Sequence, residues 1–154
     1  RELGLDAIRL KQPAFSTNAE FDFSGFGQAF DFIIAQSVAT HTGPDLLQKL
    51  LAGASRALAP SGLFLFSYIP SETRTRPEDG WHYPACVEYQ EEDMLARLAL
   101  AGLAGAPIPW FHPAARWIVA AQDEAALPAA VDLAALTGHV ARRSTDTKGY
   151  VFRP

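Results

Sequence analysis

Cysteine is nearly missing from this chain: Cys86 stands alone, so no internal disulfide can form and a reducing, cytoplasmic compartment is expected. No apolar run reaches the length of a membrane span, because proline, glycine or a charge interrupts each one. No basic excess is present either. Thirteen Lys and Arg against 17 Asp and Glu leave a formal charge of −4, which argues against a nucleic-acid partner. No cluster of His, Cys and Asp has metal-ligand spacing, so no metal is expected. No repeat, low-complexity tract or signal-peptide pattern is evident. What is there is apolar: 49% of 154 residues, enough for one globular domain with a sizeable core.

The stretch 30–69 carries the most information. Phe32, Ile33, Ile34 and Ala35 form an apolar run without alternation, which predicts a strand, Phe30–Ser37, covered on both faces of a parallel sheet. Thr42-Gly43-Pro44-Asp45 predicts a helix start, with Thr as cap, an acid three residues on and Pro in the first turn. Leu46, Leu47, Leu50, Leu51, Ala54, Ala57 and Leu58 then fall on one helical stripe. Pro60-Ser61-Gly62 stops that helix, and Gly62–Ile69 reads as a second buried strand. The three elements together predict a β-α-β crossover unit, in which ligands bind beyond the carboxyl ends of the strands, at Gln36, Ser37, Val38–Thr42 and Ser67–Pro70.

Elsewhere, residues 1–11 predict a helix, Ala14–Thr17 a short strand, and Asn18–Gly27 a loop anchored by Phe21, Phe23 and Phe26. Residues 71–80 predict a polar surface loop and Glu91–Leu103 a second amphipathic helix with acids in its first turn. Ala106–His112 and Arg116–Ala121 predict an antiparallel edge pair joined by a tight turn, with Trp110, Phe111 and Trp117 as core. Residues 122–154 form an expected extension, a helix plus a short hairpin from His139–Arg143 and Gly149–Arg153, with Arg142, Arg143, Lys148 and Arg153 as a solvated basic face.

The segment FDFIIAQSVATH…LLQKLLAGASRALAPSGLFLFSYI resembles the middle of class I S-adenosylmethionine-dependent methyltransferases, from their fourth strand through their fifth. GWHYPACVEY (80–89) and PWFHPAARWIVAA (109–121) extend the resemblance over most of residues 14–121. It implies a partial Rossmann-like α/β domain over 1–121, running from the third strand onward, mostly parallel with an antiparallel edge hairpin and surviving strand order 4-5-7-6. It also implies S-adenosylmethionine as cofactor and a small molecule as substrate. The family's Gly-rich cofactor turn has no counterpart here. Gly25-Phe26-Gly27 and Gly102-Leu103-Ala104-Gly105 do not join a buried strand to a helix. The resemblance therefore implies a piece of a longer enzyme or a truncated, non-catalytic relative that pairs with a partner. Either way, weak or absent cofactor binding by this chain alone is expected.

The resemblance places Asn18 and Ala19 at the adenine ring, and Gln36 and Ser37 at the methionine portion. The plain alternatives are an ordinary turn Asn and polar residues that simply end a strand. His41 is a candidate base for a nucleophile that must lose a proton; the alternative is a helix-start His bonded to nearby backbone. Tyr68, Trp81 and Tyr83 fall where the family's chain closes over the substrate, against the alternative of loop packing. With the family's first two strands absent, the Phe30–Ser37 edge would stand open. Cover is expected from a second copy, from residues 1–27 folded back, or from the 139–153 hairpin.

Overall fold

In a computed structural model, the structure describes residues 9–73, 76–129 and 132. Residues 9–11 are helical; the rest of the helix expected over 1–11 and the 139–153 hairpin lie outside the described residues. Five strands follow: β1 (Phe30–Ala35), β2 (Leu58–Pro70), β3 (Glu88–Tyr89), β4 (Ala104–Ile108) and β5 (Arg116–Ala121). The helices α1 (Pro44–Ala57) and α2 (Glu91–Leu100) lie between them. The sheet order is β1-β2-β5-β4, with β3 beside the end of β2. β1 and β3 run parallel to β2, whereas β5 is antiparallel to both β2 and β4. β5 alone is therefore reversed, and the order matches the 4-5-7-6 expectation.

β2 is the central strand. Phe64, Phe66 and Tyr68 point to one face, where they meet Leu47, Leu50, Leu51 and Ala54 of α1 and Met94 and Leu98 of α2. Ile33 and Ala35 of β1 and Ile118 and Ala120 of β5 complete this layer. The other face holds a smaller cluster of Leu65, Ile108, Trp117 and Val119, roofed by Trp110 and Leu127. Trp110 and Trp117 meet edge to face at 5.5 Å, as expected of core aromatics, but Phe111 is exposed.

Several expectations need correction. Phe32 and Ile34 pair beside Leu63 and Leu65 on the second face, and both are about two-thirds exposed (66% and 67%). β1 is thus covered on one face only, because the Trp110–Leu127 roof stops short of it. Its free edge has no strand partner among the described residues, so residues 9–27 do not fold back as a strand. Ala14–Thr17 is irregular and exposed, because an isolated segment has no ladder to satisfy its backbone. β1 ends at Ala35, with Gln36 and Ser37 in a turn.

At the start of α1 the cap is Gly43, in extended conformation, rather than Thr42, whose hydroxyl donates to Ala39 O at 3.2 Å. α1 passes directly into β2 at Leu58, and Gly62 lets Phe30 O approach within 2.6 Å of where a Cβ would sit. The β4–β5 connection spans residues 109–115 and is longer than the tight turn expected. Of the extension, the described part is a 3-10 turn, Glu124–Ala126, capped by Asp123.

Gly53 faces the 18–27 loop: a Cβ there would lie 2.1 Å from Phe21 O. Gly53→Ala should therefore push the loop off α1 and cost about 1–3 kcal/mol, as overpacked sites do. Denaturant midpoints with hydrogen exchange over residues 18–23 check this, and an unchanged midpoint would contradict it. For β1, Ile34→Lys should leave stability within about 0.5 kcal/mol while reducing concentration-dependent self-association in sedimentation velocity. Equal association of the two proteins would show that this edge is not responsible.

Candidate functional site

The carboxyl ends of β1 and β2 open onto a turn and a strap of chain laid beside it. Beyond Ala35, Ser37 takes a left-handed conformation (φ 57°), which a non-glycine residue rarely adopts. Its backbone N–H donates to Ser67 Oγ at 2.9 Å. Ser67 is fully buried in β2. The chain then makes a 3-10 turn, Ala39–His41, before Gly43 and α1.

Residues 78–89 lie along this turn through backbone contacts. Val87 N–H donates to Thr40 O and His82 N–H to His41 O, each at 2.8 Å; Gly43 N–H donates to Gly80 O at 2.7 Å. Trp81 bridges to Thr42. The strap passes so close that a Cβ on Gly43 would fall 2.2 Å from Glu78 O, so glycine is required there by the close approach. The Asp45 carboxylate accepts from Gly80 N–H at 2.8 Å. Tyr89 donates its hydroxyl to Thr42 O at 2.7 Å, and burial pushes that phenol up to about 12.

This arrangement brings His41, four residues beyond Ser37, against Tyr83 of the strap, with Trp81 two residues earlier on the strap and its ring on Phe21. His41 Nδ1 lies 2.8 Å from Ala85 O, and its ring meets Tyr83 edge to face at 5.2 Å. A carbonyl can only accept, so Nδ1 carries the proton and neutral His41 keeps Nε2 as an acceptor. The bland expectation of a backbone-bonded His and the candidate base are thus both compatible with one geometry. Trp81, Tyr83 and Gln36 are exposed.

The other candidates sit apart. Tyr68 is fully buried; its hydroxyl donates to Glu91 Oε2 at 3.3 Å, and Arg116 reaches the same oxygen at 3.5 Å. Burial first, then the Glu91 charge, pushes the Tyr68 phenol up to about 12. Asn18 lies on the exposed loop, where its Oδ1 accepts from Glu20 N–H (2.8 Å) and Asp22 N–H (3.2 Å), occupying both lone pairs. Ala19 is exposed beside it. That loop is tied to α1 by Lys49–Glu20 (2.5 Å) and to the strap by Phe21–Trp81 (5.9 Å).

Sequence placed Ser67 only within the strand-end range Ser67–Pro70, and Asp45 and Glu91 only as acids at helix starts; the contacts that give them a part here were not foreseen. A lone hydroxyl inside GLFLFSYI was the available signal for Ser67. Two clefts lie elsewhere. One of about 230 Å³ runs between the 22–28 loop and Gly53, Arg56 and Ala57; the other, about 280 Å³, is lined by Glu20, Asp45, Gln48, Lys49, Ala52 and Arg56. Both are below the usual size of a ligand pocket and hold none of the candidate side chains. The strand ends are the better site on chemistry. Among the described residues, no group of three His, Cys, Asp or Glu could hold a metal, and no helix is long and apolar enough to cross a membrane.

No known family's sequence profile matches the chain, and no curated protein does. Solved structures do. The glycopeptide N-methyltransferase MtfA complexed with S-adenosylmethionine superposes with a TM-score of 0.53 at 15% identity, over 77% of this chain and 73% of that one. Magnesium protoporphyrin IX methyltransferase ChlM from Synechocystis PCC 6803, with bound S-adenosylhomocysteine, gives 0.54 at 15% identity, over 77% and 57%. An O-methyltransferase family protein from Burkholderia thailandensis gives 0.56 at 14%, over 77% and 39%. The chain thus spans between about two-fifths and three-quarters of these relatives. It has, in part, the class I S-adenosylmethionine-dependent methyltransferase-like fold.

The Asp45 carboxyl is held below the ordinary Asp value, first by the Gly80 N–H. A lowered folded pKa contributes stability above the unfolded value of 3.8 and loses it as pH falls through the folded value. The Gly80 amide resonance should therefore hold still at pH 5 and move only below 3.8. Asp45→Asn keeps an acceptor and should abolish that movement. A midpoint at or above 3.8 by NMR would contradict the assignment.

Proposed function

We propose that this chain is the carboxyl-terminal part of an S-adenosylmethionine-dependent methyltransferase acting on a small molecule. The observation that carries the reading is the β1-β2-β5-β4 order with a held turn, Gln36–Ser37, at the carboxyl end of β1, where sheets of this kind bind ligands. The open edge and exposed face of β1 support the further reading that a preceding strand and helix layer cover them in the longer protein. A second copy of the chain is the other cover we consider.

In this reading the backbone of Gln36 and Ser37 edges the methionine portion of the cofactor. Ala19 offers backbone to the adenine ring, and Asn18 shapes that turn through the bonds its Oδ1 already makes. The residues present fit only part of the cofactor, since the Gly-rich turn has no counterpart in the sequence. When bound, S-adenosylmethionine supplies an electrophilic methyl group. Trp81 and Tyr83 give an aromatic surface for a flat or apolar acceptor, and Tyr68, apart from them, holds Glu91. His41 Nε2 is the acceptor for a proton leaving the nucleophile, its ring oriented by Ala85 O and Tyr83. Orientation supplies most of the acceleration in such an in-line displacement.

Residues 1–154 alone should bind S-adenosylmethionine more weakly than micromolar, because half a site should not reach about −8 kcal/mol. A longer natural form carrying a Gly-rich turn should bind at least tenfold tighter. Calorimetric titration of both checks this. Micromolar binding by the short chain would overturn the half-site reading. No binding by either would overturn the enzyme reading in favour of a non-catalytic relative that works by pairing.

A further inference from the structure

We propose that Ser67 is the positioning residue of the Gln36–Ser37 turn, an inference that rests on that turn being the cofactor edge. Three observations converge on it. Ser67 is the one hydroxyl inside the apolar run Leu63–Ile69 apart from the Tyr68 phenol, and its position in the sheet is fully buried. Its Oγ takes the Ser37 backbone N–H at 2.9 Å, with Ser37 two residues and Ser67 one residue past the last ladder partners, Ala35 and Phe66. Ser37 itself stands at φ 57°, a conformation that disfavours any residue but glycine and persists only where surroundings impose it.

The parallel ladder between β1 and β2 ends at Ala35–Phe66. Past that point, the Ser67 hydroxyl is the contact from β2 that continues to hold the departing chain. Without it, the Ser37 N–H is left without this partner and the turn is free to relax to negative φ. The backbone groups of residues 36–38 then leave the orientation in which a ligand beyond the strand end would meet them. Ser67 acts through Ser37 and touches no substrate.

The test uses residues 1–154 and S-adenosylhomocysteine, titrated to millimolar concentration and read by amide chemical shifts, which report weak binding. Shifts should concentrate at residues 36–38 in the unmodified chain. Ser67→Ala and the near-isosteric Ser67→Cys should each weaken binding about two- to tenfold, the worth of one hydrogen bond. Adding Ser37→Gly to Ser67→Ala should restore most of the loss, because glycine adopts the turn without the tether. A purely structural role would lower the melting temperature without this selective loss and without rescue.

If neither the unmodified chain nor a longer natural form carrying a Gly-rich turn shows shifts at 36–38, the cofactor-edge reading falls and this inference with it. If those shifts appear and keep the same dissociation constant in both Ser67 variants, the inference alone is overturned. Loss of binding in both variants without recovery by Ser37→Gly would also overturn it, since the φ restraint would then not be the cause.

Discussion

Burial of one face of β2 is the constraint on which the rest of the structure depends. Phe64, Phe66 and Tyr68 stand in a row on that face, and both helices pack on it. The same strand is bonded to β1 along one edge and to β5 along the other, with β3 beside its end. Each fully buried aromatic or leucine contributes about 1.5–3 kcal/mol by leaving water, so this one strand anchors most of the favourable packing. Shifting it by a single residue would turn Phe64, Phe66 and Tyr68 toward the thinner second face. The helices, and the turns at their ends, are placed by that register.

The strand ends inherit their geometry from this layer. Where the β1–β2 ladder stops, two different devices take over. A buried hydroxyl holds the departing turn, and a neighbouring strap is laid along it by N–H and C=O groups and by the Asp45 carboxylate. The Glu91–Arg116 contact beside Tyr68 is largely solvated, with side chains 38% and 61% exposed, so it orients more than it stabilises.

Much of this was legible from sequence because its signals are local. The leucine stripe of α1 and the apolar run of β2 each carry their own period, and the strand order followed from the resemblance they support. The Pro60–Gly62 stop did not hold, since α1 ends at Ala57 and those residues lie inside β2. What was not legible depends on pairing across the chain. Ala14–Thr17 has the composition of a strand but no ladder partner. Phe32 and Ile34 are as apolar as Ile33, and composition alone does not say which face receives a roof. At the helix start, Thr42 and Asp45 had the spacing of a cap. The passage of residues 78–80 over Gly43 redirected both, turning Thr42 back to Ala39 and Asp45 out to Gly80. Among candidate site residues, the contact of His41 with Tyr83, the burial of Tyr68 and the occupied oxygen of Asn18 all required three-dimensional neighbours.

The way the strap is held has a consequence for how such a surface diversifies. Three of its ties to residues 40–43 run from main chain to main chain, at Val87, His82 and Gly80. The Tyr89 hydroxyl and the His41 ring add bonds to Thr42 O and Ala85 O, and the closest approach is Glu78 O over Gly43. None of those hydrogen bonds uses the side chain carried at positions 81, 83 or 86; Trp81 and Tyr83 add only ring contacts, to Phe21 and His41. Trp81, Tyr83 and Cys86 can therefore be exchanged for other residues while the strap keeps its path. A lineage built on this scaffold is free to change what it recognises by substitution on the strap, while Gly43 beneath it stays fixed.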